Sequence, residues 1–232
     1  LPDTVTELTN YANQKCNGQD AVTLQTAFAL SCNTAFVEMS EQIGADELRK
    51  YAKAFGVGEN YDLGVSTSAG TLGDLPDGAA TAQSAIGQRD VTMTALQAAV
   101  MAGTVANKGT RMQPYLVNRI TDAQMKDIRT TKPKKADQAV NEETAATLTD
   151  LMYASERSSA GYDGNGFASK TGTAEHGEGL APHVWYVAFD PERDIAVGVV
   201  VKNGGNLGES ATGGKVSGPI GRAILRAYQG EQ

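Results

Sequence analysis

Hydrophobic positions in the first half of the chain recur at helical spacing. Leu24, Ala27 and Phe28 open the series, and it resumes after Ser31-Cys32-Asn33 with Phe36, Met39 and Ile43. Gly44 interrupts it. Leu48, Tyr51, Ala52 and Phe55 then fall at i, i+3, i+4 and i+7, with Gly56 where a C′ glycine belongs. Asn33 stands where one helical segment meets the next, a place that suits an Asn cap. A third helix is expected from about Thr94 to Ala106, with Leu96, Ala99, Val100 and Gly103 turned inward. Asn141 is expected to cap a fourth, with Ala145, Leu148, Leu151 and Met152 on one face. Between these, Gly58 to Gly78 reads as a long irregular stretch. Tyr115 to Ile120 reads as a short strand, and Thr130 to Asp137, with its lysines and proline, as an exposed turn.

The last third changes period. Phe167 to Ala174, His183 to Phe189 and Asp194 to Lys202 read as three strands, with Asp190-Pro191-Glu192-Arg193 as a hairpin turn. A Gly-rich segment follows from Gly204 to Gly214. Pro219 is expected to open a final helix with Ile220, Ala223, Ile224 and Ala227 on its buried face. Strands beside a helical first half indicate an α+β domain. No repeat or linker divides the chain, so residues 1–232 read as one domain.

Composition adds bounds. The chain is 41% hydrophobic and 20% charged, which suits a folded globular protein. Its formal net charge of −7 repels phosphate backbones and argues against nucleic acid as a partner. No apolar run approaches the roughly 20 residues of a membrane helix. Leu1-Pro2-Asp3 reads like the middle of a protein. Cys16 and Cys32 fit a short disulfide loop, worth about 3 kcal/mol in the chain-entropy model, and fit two buried thiols equally well.

Two short motifs carry candidate chemistry. They are Ser31-Cys32-Asn33 and Lys170-Thr171-Gly172-Thr173, with Ser31 and Lys170 separated by 139 positions. Either alone has a bland explanation: a helix cap for the first, a solvated lysine on a sheet edge for the second. His176 and His183 are the only histidines. With Glu175 and Glu178 they offer too little for a metal site at this spacing and read as polar strand-end residues. Trp185 alternates with its strand neighbours as a core residue would. Lys132 to Lys135 reads as a solvated loop. No metal or cofactor is expected.

In this order and spacing the two motifs resemble the transpeptidase domain of class B penicillin-binding proteins. That superfamily, which includes the serine β-lactamases, carries Ser-x-x-Lys, then Ser-x-Asn, then Lys-Thr-Gly. The likeness extends through Ser84-Ala85-Ile86-Gly87-Gln88, Val91 to Thr94, Leu96-Gln97, Ala106 to Gly109, Trp185-Tyr186-Val187, Pro191 and Gly213-Gly214. The chain is most similar to the A-type proteins of actinobacteria, which also show Ser-Cys-Asn. The resemblance implies a penicillin-binding/β-lactamase-like fold: an antiparallel sheet flanked by helices, plus a mainly helical subdomain. It implies a Cys16–Cys32 disulfide, an extracytoplasmic location and a membrane anchor outside this chain. The implied partners are the D-Ala-D-Ala stem peptide of peptidoglycan, β-lactams, and a glycosyltransferase or divisome protein. Ser31 would relay a proton, Asn33 would orient a substrate amide, and Lys170 would place positive charge in the cleft. Thr171 and Thr173 would hold a carboxylate, and Gly172 would let backbone approach the ligand.

The family's first motif is missing. No serine in the chain is followed by lysine three positions on. The expectation is that the chain begins after the nucleophile segment and is inactive alone, while the parent is a serine-type D,D-transpeptidase. The alternatives are a non-catalytic cell-wall peptide-binding or divisome scaffold module, and a D,D-carboxypeptidase or β-lactamase. A β-lactamase needs a deacylating base. Glu142 and Glu143 lie between the motifs, but as helix-start residues.

Overall fold

A computed structural model describes residues 1–230 apart from 3, 6, 11, 12 and 178. Its helical part contains α1 (Leu24–Leu30), α2 (Asn33–Ala54), α3 (Gly78–Ala85) and α4 (Ala95–Ala106). Then come the short strands β1 (Thr110–Met112), β2 (Arg119–Thr121), β3 (Asp127–Thr130) and β4 (Lys135–Gln138). Helix α5 (Glu142–Ser158) leads into β5 (Ala168–Ala174), β6 (His183–Asp190) and β7 (Ile195–Val201), and α6 (Ser217–Gly230) closes the fold.

Strands β5, β6 and β7 form one antiparallel sheet in that order, so β5 is an edge strand. Side chains alternate between the two faces. Ala168 and Phe189 on one face pack with Ala102 and Val105 of α4 and Met152 of α5. Tyr186, Ala188 and Val197 on the other pack with Phe167 and Leu225 of α6. The sheet is thus covered on both faces: α5 packs on the site strand β5, and α6 packs on β6 and β7.

Local chemistry explains the boundaries. Thr94 and Gln97 form a reciprocal capping box at the start of α4. The Asn141 side chain accepts the Thr144 N–H at 2.8 Å and caps α5. Gly44, at φ 78, puts a non-helical step inside α2. The irregular stretch after α2 is pinned: the buried Gln97 amide donates to the carbonyls of Gly56, Glu59 and Ala69.

Several expectations need correction. Asn33 does not cap: Cys32 is the cap residue of α2, without a side-chain cap bond, and Asn33 is the first helical residue. Lys135–Gln138 is a strand paired with β1, although all four residues are exposed as a turn would be. The short strand begins only at Arg119, and its pairing with β3 sets its limits. Helix α6 starts at Ser217, with Pro219 inside its first turn, where a missing N–H costs nothing. Its expected buried face is exposed: Ile220, Ala223, Ile224 and Ala227 face outward, while Gly221, Arg222 and Leu225 are buried. Helix α3 was not foreseen, because Gly78-Ala79-Ala80-Thr81-Ala82 carries little hydrophobic contrast; Asp77 caps it by accepting the Ala80 N–H at 2.7 Å.

Candidate active site

Ser31 ends α1 in the left-handed conformation, at φ 55 and ψ 50. That region is sparsely used by residues with a Cβ, and such strain gathers at functional sites. The turn is fixed on both sides. The Ser31 N–H donates to the Phe28 carbonyl at 3.2 Å, and the Cys32 N–H to the Ala27 carbonyl at 2.9 Å. Cys32 is disulfide-bonded to Cys16, closing a loop with a sequence separation of 16. Asn33 follows at once, and its amide donates to the Thr9 carbonyl at 3.2 Å.

Lys170 comes from edge strand β5. Its ammonium donates to Ser31 Oγ and, at 2.8 Å, to the Thr171 carbonyl. It lies 5.8 Å from the centre of the Phe28 ring. Among the described residues no carboxylate lies within salt-bridge distance of it. Burial without a counter-charge pushes its pKa down to about 8. The two motifs are therefore in direct contact across the fold.

Gly172 pairs with Trp185, and a Cβ there would lie 3.3 Å from the Trp185 Cβ. Trp185 belongs to neither core cluster; it is half-buried on the Lys170 face of the sheet, not the core residue its alternation suggested. Thr171 and Thr173 project to the opposite face, Thr171 half-buried and Thr173 exposed. The segment before α6 presses on this strand. A Cβ at Gly213 would come within 2.8 Å of the Gly172 carbonyl oxygen and 2.9 Å of the Thr171 Cβ.

Behind β5 lies a group that the chain's hydrophobic pattern does not mark. Glu156 of α5 is fully buried and accepts hydrogen bonds from Arg222, Asn165, Ser169 and Tyr186. Arg222 approaches at 2.6 Å and also donates to Ser159 Oγ and the Ala160 carbonyl, each at 3.1 Å. Burial pushes the Glu156 pKa up, but the donors outweigh it and hold the carboxyl below its ordinary value. Burial likewise lowers Arg222, and Glu156 more than offsets it. Tyr186 is raised by burial first and then by the Glu156 charge. A single Glu within an amphipathic helix pattern looks like a solvated residue; only the Arg222 partner, 66 positions away, explains it.

His176 and His183 stack with ring centres 4.0 Å apart. His176 Nε2 pairs with the Ala181 carbonyl, and His183 Nδ1 accepts the Asn203 N–H. Among the described residues no cluster of three or more His, Cys, Asp or Glu is placed to hold a metal. Glu178 lies outside the described residues. Nor is any described helix long and apolar enough to cross a membrane.

A left-handed serine turn thus meets a half-buried lysine on a sheet edge, and comparison with known proteins supplies the family. The family model of the penicillin binding protein transpeptidase domain matches residues 2–226, and the chain belongs to that family. It is 44% identical to the peptidoglycan D,D-transpeptidase PbpA of Mycolicibacterium smegmatis, across 98% of this chain and 48% of that protein. It is 42% identical to PbpA of Mycobacterium tuberculosis, across 100% and 49%. The structure of penicillin-binding protein A from M. tuberculosis as a penicillin G acyl-enzyme complex superposes with a TM-score of 0.92 at 41% identity, covering 99% of this chain and 53% of that one. The chain spans about half the length of the curated relatives it matches.

Proposed function

We propose that these 232 residues act as one unit, forming two walls of the acyl-transfer site of an extracytoplasmic peptidoglycan D,D-transpeptidase. The Lys170–Ser31 contact carries this reading. In it a serine nucleophile, contributed by polypeptide outside this chain, attacks the D-Ala-D-Ala carbonyl of a stem peptide. Ser31 passes a proton toward the leaving amine, since its hydroxyl donates and accepts at once. Lys170, with a pKa of about 8, is mostly ammonium at neutral pH and supplies charge to Ser31 and to the substrate carboxylate. Thr171 and Thr173 leave β5 on the face opposite Lys170, so in this reading they reach that carboxylate around the open edge of the strand. The Thr173 N–H faces the oxyanion, and Asn33 orients the substrate amide once it exchanges its bond to the Thr9 carbonyl. A β-lactam is opened by the same nucleophile. The parent protein's membrane anchor and its glycosyltransferase or divisome partner belong to this reading too.

A hydrolytic reading has less support. Of the two acids weighed as a deacylating base, Glu142 and Glu143, the first is paired with Lys108 at 2.7 Å on the surface. The test is labelled penicillin incubated with the full-length protein and with this chain alone. Stable labelling of the full-length protein only is the expected result. Labelling followed by fast turnover would favour a β-lactamase or carboxypeptidase, and a folded full-length protein that takes no label would sink the acyl-transfer reading.

A further inference from the structure

Strand β5 carries Lys170, yet as an edge strand it has a neighbour on one side only. Something else must fix its rotation and its height against α1. Alternation along the strand sends Ser169 and Lys170 to opposite faces, so whatever holds Ser169 sets the aim of Lys170. Ser169 is fully buried and donates to Glu156 Oε2. A second grip lies just upstream. Asn165 donates to Glu156 Oε1 at 2.9 Å, and its own side-chain oxygen accepts the Phe167 N–H at 2.9 Å, immediately before β5. Arg222 ties the connection from α5 to β5 through Ser159 and Ala160. Ser169, Asn165 and Arg222 all donate to one carboxylate, that of Glu156. An apolar cluster of equal volume often stabilises a core as well as a buried ion pair does, so stability alone does not account for the network.

We propose that Glu156 is a positioning residue for the Lys170 wall: it grips β5 from behind, through Ser169 and Asn165, and thereby aims Lys170 at Ser31. This rests on the acyl-transfer reading for its consequence in catalysis, but not for its geometry. Tyr186 supplies the control. Its hydroxyl bonds the same Glu156 oxygen at 3.0 Å from β6, not from the Lys170 strand.

The experiment uses the full-length protein with Ser169→Ala and, separately, Tyr186→Phe, each removing one hydrogen bond to Oε2. Lys170 titration is followed by side-chain NMR, and acylation by labelled penicillin is timed across the same pH range. In the wild type the lysine should titrate near pH 8, held there by burial beside Ser31, the Thr171 carbonyl and Phe28. Ser169→Ala should let the ammonium reach water, move its midpoint toward 10.5 and slow acylation at pH 7 about tenfold. Tyr186→Phe should lower the melting temperature comparably and leave the Lys170 midpoint in place. A Lys170 midpoint unmoved in Ser169→Ala, or moved equally in both variants, overturns the proposal. A wild type that titrates near pH 8 but never labels, with the shift intact in Ser169→Ala, upholds the positioning and rejects the acyl-transfer reading.

Discussion

The two faces of β5 each hold a cation, Arg222 fully buried behind and Lys170 half-buried in front, and they treat it in opposite ways. On the back face Arg222 meets a carboxylate at 2.6 Å, and the remaining lone pairs of that carboxylate are filled by Ser169, Asn165 and Tyr186. On the front face Lys170 has a serine hydroxyl, a carbonyl and an aromatic ring, and no counter-charge within reach among the described residues. The back face is satisfied and specifies geometry. The front face is left short of partners, which is the environment the proposed carboxylate-binding role calls for. One residue step along the strand, from Ser169 to Lys170, separates the two regimes.

Breaking the back face should have the largest effect. Arg222→Met strands a buried carboxylate and should cost about 3–5 kcal/mol in denaturant unfolding. The double variant Glu156→Gln, Arg222→Met should recover much of that loss. If the double variant is no better than the single one, the damage comes from packing and not from the orphaned charge. The disulfide behind the Ser31 turn is next. Cys16→Ala with Cys32→Ala should cost about 3 kcal/mol through the freed loop and should also slow acylation, because Cys32 adjoins Ser31. Equal acylation rates with and without the bridge would remove it from the proton relay.

Lys170→Met should do the reverse of Arg222→Met. It should lower penicillin acylation of the full-length protein by about 100-fold or more, yet raise stability at neutral pH by on the order of 1–3 kcal/mol, since it removes an uncompensated buried charge. The signs can be checked by pH. Lys170 has a folded pKa of about 8 against 10.5 unfolded. Its penalty is therefore complete below pH 8 and fades as the native state loses its proton between 8 and 10.5, so the variant's advantage should shrink across that window. Glu156 runs the other way: its folded pKa lies below 4.5. Its contribution is complete above about pH 4.5 and is lost as acid titrates the folded carboxyl. An advantage for Lys170→Met that stays constant from pH 7 to 11 would contradict the front-face account.

The asymmetry also explains what could be read from the chain itself. The front face was legible because its residues are contiguous triplets with fixed chemistry: Ser31-Cys32-Asn33 and Lys170-Thr171-Gly172. Strands β6 and β7 were legible because one is a β-branched and aromatic run with period-two burial and the other a short continuous apolar run, with turn residues between them. The back face was not, since Glu156, Ser169, Tyr186 and Arg222 come from four elements and none is unusual in its local pattern. Helix α3 failed for a different reason, its alanine-rich segment being short and weakly patterned. Trp185 was misplaced because a period of two says which residues share a face, but not which face meets the core.

The smallest expected effect tests whether the front face truly carries strain. Ser31 holds φ 55 with a Cβ in place, a conformation that costs an L-residue about 1–2 kcal/mol and costs glycine almost nothing. Glycine also makes the unfolded chain freer, which takes back about 0.4–1 kcal/mol. Relief should win narrowly, so Ser31→Gly should stabilise the fold by less than about 1 kcal/mol while losing the hydroxyl that Lys170 contacts, and with it acylation. Ser31→Ala separates the two contributions, because it loses the same hydroxyl and keeps the strained backbone. It should match the glycine variant in lost acylation and fall below it in stability. Should Ser31→Gly prove less stable than Ser31→Ala, the left-handed turn is not a cost borne for function, and the contrast between the two faces of β5 would rest on Lys170 alone.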